Sequence, residues 1–188
     1  VLFGEYLRDY IMNMAHTILN AIIDPIVVES KFPEEWDFET LNRNLKKISA
    51  KYQGKTSYTT EELNAMSEES LRKSVCEDFD RLYEEKEAEI GTEQLREVER
   101  MILLRVVDNL WMDHIDAMDQ MKSGIGLRAL GQQDPAAAYA KEGFDMFEQM
   151  INAIQEDTTR LILNVQIRTQ QEPKREQIAK PNSTSTDG

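Results

Sequence analysis

Apolar residues in this chain recur at steps of three and four, and nowhere alternate with polar ones for long enough to build a sheet. At 3.6 residues per turn such steps line one face of a helix, which makes the expected fold class all-α. Only eight Gly and five Pro occur, and they fall where punctuation is expected. Phe3, Leu7, Tyr10 or Ile11, Met14, Ile18 and Ile22 form the first stripe. Pro25 lacks an N–H and crowds the preceding turn, so it is expected to kink or end that helix. Pro33 followed by Glu34 and Glu35 reads as a first turn with acids at its positive end, with Trp36, Leu41, Leu45 and Ile48 facing inward.

Residues 51–58 read as loop. Thr59 with Glu62 three places on is a capping-box pattern, and Ser67 is a further cap. Leu71, Val75, Phe79 and Leu82 make the next buried stripe, which Gly91 stops by taking the left-handed conformation. Thr92 is expected to cap a long helix with the stripe Leu104, Val107, Trp111, Ile115 and Met118, running to Gly124. After a connection over 125–133, Asp134-Pro135 restarts a helix, Asp as cap and Pro at the first helical position. Phe144, Phe147, Ile151, Ile154, Leu161 and Val165 give its stripe. Two such helices with a short joint predict an antiparallel hairpin. From about Thr169 the chain holds hardly an apolar residue and is expected to stay disordered.

Lys and Arg number 22 against 35 Asp and Glu, a formal charge of −13. That balance repels phosphate backbones, so no nucleic-acid partner is expected. Most of the negative charge sits between residues 60 and 99, and its simplest reading is a solvated helix face. Apolar runs such as Met101–Leu104 fall far short of the roughly 20 residues that span a bilayer, so no spanning helix is expected. No basic-then-apolar signal segment is expected at the start, and Val1 in place of Met suggests a piece of something longer. A single cysteine, Cys76, excludes an internal disulfide framework and fits a reducing compartment.

Reactive chemistry is hard to find. Gly126 and Gly131 have the spacing of half a phosphate loop, but Gln132 and Gln133 stand where Lys and Ser or Thr belong. Asp113, His114, Asp116 and Asp119 lack a second His or Cys at zinc-ligand spacing, and read as a solvated edge with His114 at a packing boundary. His16, inside an apolar stripe, reads as a half-buried, hydrogen-bonded histidine. Acids beside Cys76 raise a thiol pKa and make it a poor nucleophile. No catalytic residue, metal ligand or cofactor site is assigned. Leu127, Arg128 and Leu130 are unusual at a hairpin tip, where polar residues are the rule: they suit contact with another protein or an unfolded chain, or else both leucines fold back onto the hairpin.

Leu103-Leu104-Arg105-Val106-Val107-Asp108, the run Trp111-Met112-Asp113-His114-Ile115-Asp116-Ala117-Met118-Asp119-Gln120, Gly126-Leu127-Arg128-Ala129, and Glu142-Gly143-Phe144 with Met146-Phe147 resemble the C-terminal half of the SecA family. Pro33-Glu34-Glu35-Trp36-Asp37 is similar to that family too. The resemblance implies the end of a long scaffold helix over 1–30, a helical wing domain over 31–92, a two-helix finger over 93–168 and a linker over 169–188. It implies a part of an ATP-driven preprotein translocation motor that lacks the nucleotide-binding domains. This chain would then need no cofactor, with ATP and Mg bound elsewhere in the parent.

The implied partners are the SecYEG channel, an unfolded preprotein and the parent's motor domains, at the cytoplasmic face of the bacterial membrane. In that family the finger also restrains the resting ATPase. By the same resemblance Leu127, Arg128, Ala129, Leu130 and Gly131 would meet channel or preprotein. Trp111, Ile115, Phe144 and Phe147 would pack the hairpin, with Trp111→Ala costing roughly 3–5 kcal/mol if that site is well buried. The chain departs from the family at Leu130, where many members carry Tyr, at Gln133, and at Ala136-Ala137-Ala138. A different reading of the residues alone is a free-standing helical adaptor whose acidic middle docks a basic partner.

Overall fold

A computed structural model gives the fold of residues 2–128 and 134–166. Among these residues there is no strand. The helices are α1 (Leu2–Val28), α2 (Phe38–Ile48), α3 (Thr60–Ala65), α4 (Glu68–Ile90), α5 (Thr92–Arg128) and α6 (Pro135–Asn164), with one 3-10 turn over Pro33–Glu35.

α1 runs one turn past Pro25 instead of ending there. Ala21 and Pro25 are both exposed, so the carbonyl left without a donor faces water, while Ile26 and Val27 are buried and hold the last turn in place. The expected stripe is rotated slightly. Ile11, Met14, Ala15, Ile18, Leu19, Ile23, Ile26 and Val27 are buried, whereas Tyr10 is exposed and Ile22 half-buried.

By length and composition Tyr6–Val28 could cross a membrane, contrary to the expectation drawn from short apolar runs. Scattered polar residues hid the stretch from that reading. In the fold α1 packs against α2, α4, α5 and α6, and its polar residues His16, Asn20 and Asp24 have protein partners. His16 Nε2 meets Asp80 Oδ1 at 2.7 Å. Arg72 reaches Asp24 at 2.6 Å and donates to both the Asn20 side chain and the Asn20 carbonyl.

The wing is built by its caps and aromatics. Asp37 accepts from the Thr40 N–H and opens α2. Thr59 and Glu62 form the capping box of α3, and Ser67 and Ser70 exchange the same pair of bonds at α4. Trp36, Leu41, Leu45 and Ile48 are buried as expected, joined by Phe38 and Tyr52. Tyr52 stacks on Phe79 at 5.0 Å between centroids, which joins the 51–58 loop to α4.

Two contacts close the base. Lys86, almost wholly buried, donates to the Val165 carbonyl at 2.8 Å. Asn164 donates to the Ile48 carbonyl and accepts from the Ala50 N–H. The end of α6 is thereby stitched to α2 and α4. Gly91 has φ 93°, ends α4 and is its whole connection to α5. Thr92 is the first residue of α5 rather than its cap, because the Gly91 carbonyl itself accepts from the Leu95 N–H.

Candidate interaction site on the helical finger

At about 1.5 Å per residue, the 37 residues of α5 extend roughly 55 Å and the 30 of α6 roughly 45 Å. Leu95 shares a cluster with Ile162, Val106 packs with Met150 and Ile154, and Met118 lies beside Gly143. Partners that rise on one helix as they fall on the other make the pair antiparallel. Asp134 accepts from the Ala136 N–H, and Pro135 takes the first helical position.

The register differs from the expected one. The inward positions are Leu95, Glu99 and Val106 on α5, and Met150, Ile154, Thr158, Thr159, Ile162 and Leu163 on α6. Of the expected stripes Ile154 is buried and Val107 packs beside it, while Leu104 and Leu161 are exposed. On α5 the row of Leu95 and Val106 lies on a different face from the row of Leu104, Trp111 and Ile115, and periodicity alone does not say which faces the neighbour.

Trp111, Ile115, Phe144 and Phe147 lie on the outer row, 46, 42, 61 and 43 % exposed, so they flank the seam and do not seal it. The ring of His114, half-buried, lies 5.8 Å from Trp111 and 6.0 Å from Phe147, linking α5 to α6. Asp113, Asp116 and Asp119 are exposed, and among the described residues no three metal-ligating side chains converge. At Gly143 an added Cβ would stand 3.2 Å from the Met118 methyl, so the missing side chain lets the helices approach.

From Val107 to Ile125 and from Ala136 to Gln149 no described side chain is fully buried. Among the described residues, the outer half of the finger leaves every side chain partly open to solvent. α5 also runs to Arg128, past Gly124 where it was expected to stop. Of the expected contact residues, Leu127 and Arg128 belong to the last turn of α5, and their side chains lie outside the described residues. Ala129, Leu130 and Gly131 lie outside them altogether.

Burial first, and Asp80 second, push the Cys76 thiol above its ordinary value, away from the thiolate. What the finger offers is apolar surface. Met101, Leu104, Trp111, Met112 and Ile115 on α5 and Phe144 and Phe147 on α6 are exposed, too many for scattered surface residues to need no explanation. Sequence periodicity found most of these residues but assigned them to the wrong side of the seam.

An all-α body bearing a long two-helix finger with an apolar outer row defines a helical scaffold-and-wing class of fold. The SecA Wing and Scaffold domain family matches residues 1–166. The protein translocase subunit SecA 1 of Alkaliphilus metalliredigens is 46% identical over 98% of this chain, and that of Clostridioides difficile is 42% identical over 100% of this chain. The protein translocase subunit SecA of Acetivibrio thermocellus is 40% identical over 98%. The chain belongs to the SecA family, and spans about a fifth of the length of these relatives.

Proposed function

We propose that this chain is the non-catalytic, force-transmitting part of a protein-translocation motor. Nucleotide-driven movement in the remainder of such a motor enters through α1, passes into α5 and α6, and leaves at the finger tip. The tip residues Leu127, Arg128, Ala129, Leu130 and Gly131 then press on the preprotein or on the SecYEG channel mouth. In the resting motor the same finger restrains the ATPase. ATP and Mg are handled by the remainder, at the cytoplasmic face of the membrane. The organisation that goes with this reading is scaffold helix over 1–30, wing over 31–92, finger over 93–168 and linker over 169–188.

One observation carries the reading: among the described residues the outer half of the finger has no fully buried side chain, while its base is fixed in the core. Such an element is stiff along its axis and free to enter another body. The outward face of α1 adds to this. Tyr6, Tyr10 and Val28 are exposed on it, an apolar surface suited to the motor domains that would precede this segment.

The test reassembles the motor from this chain and the N-terminal part of a SecA relative. A photo-crosslinker at Leu130 should label a translocating preprotein only when ATP is supplied, and adding the chain should lower the resting ATPase rate. A label that reaches neither preprotein nor channel, with translocation intact, removes the tip from the mechanism.

A further inference from the structure

Glu99 is fully buried although it stands only two turns into α5. Its carboxylate accepts from the Tyr83 hydroxyl at 2.5 Å and pairs with the Arg96 guanidinium at 2.8 Å. Arg96 also donates to the Tyr83 oxygen and reaches Glu87 at 3.2 Å. From α1, Arg8 lies over the Tyr83 ring, 5.7 Å from its centroid, and approaches Glu87 at 3.8 Å and Glu84 at 3.9 Å. One polar node thus takes members from the scaffold helix, the wing helix and the base of the finger.

Stability is a poor explanation for it. Taking a guanidinium and a carboxylate out of water costs nearly what their attraction returns, and apolar side chains of similar volume often hold a site as well or better. What apolar packing supplies less well is a unique register. Apolar contacts tolerate sliding, whereas a carboxylate, a guanidinium and a hydroxyl bond in only one mutual placement. The covalent joint does not supply that register either. Gly91 is the whole connection between α4 and α5, and nothing lies within 4 Å of where its Cβ would be.

We propose that the Tyr83–Arg96–Glu99 node, rimmed by Glu87 and Arg8, is a coupling joint that fixes the direction of the finger relative to wing and scaffold helix. Displacement of α1 reaches α5 through Arg8 and Glu87, and the first turns of α5 follow the body while the outer finger swings with them. The inference concerns the chain's own mechanics and holds whether or not the finger enters a channel.

The test measures direction and stability separately, on the whole chain with Cys76→Ser. Spin labels at Glu69→Cys and Gln120→Cys report the angle between α4 and α5, and labels at Gln120→Cys and Gln149→Cys report the hairpin. The apolar set Tyr83→Phe/Arg96→Met/Glu99→Met should keep its helix content and melting midpoint. Its 69–120 distance distribution should nevertheless broaden and shift, with the 120–149 distribution unchanged. Tyr83→Phe alone, which removes one oxygen, should broaden the 69–120 distances to a smaller extent. If the folded apolar set keeps the sharp 69–120 distance, or if the 120–149 distance broadens equally, packing sets the direction and the joint is overturned. Should the apolar set fail to fold, Tyr83→Phe decides alone, and a distribution as narrow as the parent's overturns the proposal.

Discussion

The body around α1 and the outer half of the finger are both helical, yet they are held by different physics. In the body, Leu19, Leu45, Phe79 and Tyr83 are shut away from water and touch residues far along the chain. In the outer finger no described side chain is fully buried, and the largest ones stay half in solvent. The contrast teaches where stability sits and where reach sits. The body anchors, and the finger keeps length and exposed surface at the expense of burial.

The largest expected difference between the regions comes from truncating one aromatic in each. Phe79 is 1 % exposed and stacks on Tyr52, so Phe79→Ala should cost about 3–5 kcal/mol in denaturant unfolding. Trp111 is not buried enough for that figure. At 46 % exposure Trp111→Ala should cost about 1–2 kcal/mol. Equal losses at the two sites would abolish the distinction.

Glycine at position 54 sharpens the comparison from the backbone side. A Cβ there would stand 1.9 Å from Asn42 Oδ1 and 2.7 Å from the Tyr52 hydroxyl. Asn42 cannot simply yield, because its amide holds the Lys55 carbonyl at 2.9 Å. Gly54→Ala should therefore cost about 1–3 kcal/mol, read as a lowered melting midpoint. An unchanged midpoint would mean that the wing loop is not packed as described.

Acid should also separate the two regions. Lys51 and Lys86 hold the Glu89 carboxyl below its usual range, Lys55 and the Thr59 N–H do so for Glu62, and Thr40 does so for Asp37. All three belong to the body. A carboxyl whose folded pKa is lowered contributes fully above its ordinary value of roughly 4, and that contribution is lost as pH falls through the folded value. Glu99, pushed up by burial, has the opposite sign and gains as it protonates. The chain holds two tryptophans, one in each region, so Trp36→Phe and Trp111→Phe variants give separate fluorescence reporters. Below pH 4 the Trp36 signal should change before the Trp111 signal, and the reverse order would place the acid-labile contacts in the finger.

Much of the body was legible in the sequence because its signals are local. Thr59 with Glu62, and Ser67, mark helix starts by chemistry that acts within four residues, as Asp134 with Pro135 does in the finger. Gly91 marks an end for the same reason. The facing of α5 was not legible, because Val106 and Trp111 belong to two periodic rows, and only the partner helix decides between them. Pro25 misled because Ile26 and Val27, packed from a distance, outweigh one missing hydrogen bond. The node at Glu99 left no trace either. Tyr83, Glu87, Arg96 and Glu99 look like ordinary surface residues until two helices bring them together.

The smallest expected effect lies at Gly124, where the sequence suggested a stop and the helix continues. A glycine inside a helix loses more backbone freedom on folding than alanine, by about 0.5–1 kcal/mol. Nothing lies within 4 Å of the position an added Cβ would take, so no contact opposes the change. Gly124→Ala should therefore stabilise the outer finger by about that amount, seen as slower amide exchange over α5 beyond Val107 with the body unaffected. The sign is what matters, because the same substitution at Gly54 destabilises. A loss at Gly124 would mean that the outer helix is not straight there, and that the stiffness assigned to the finger ends before its tip.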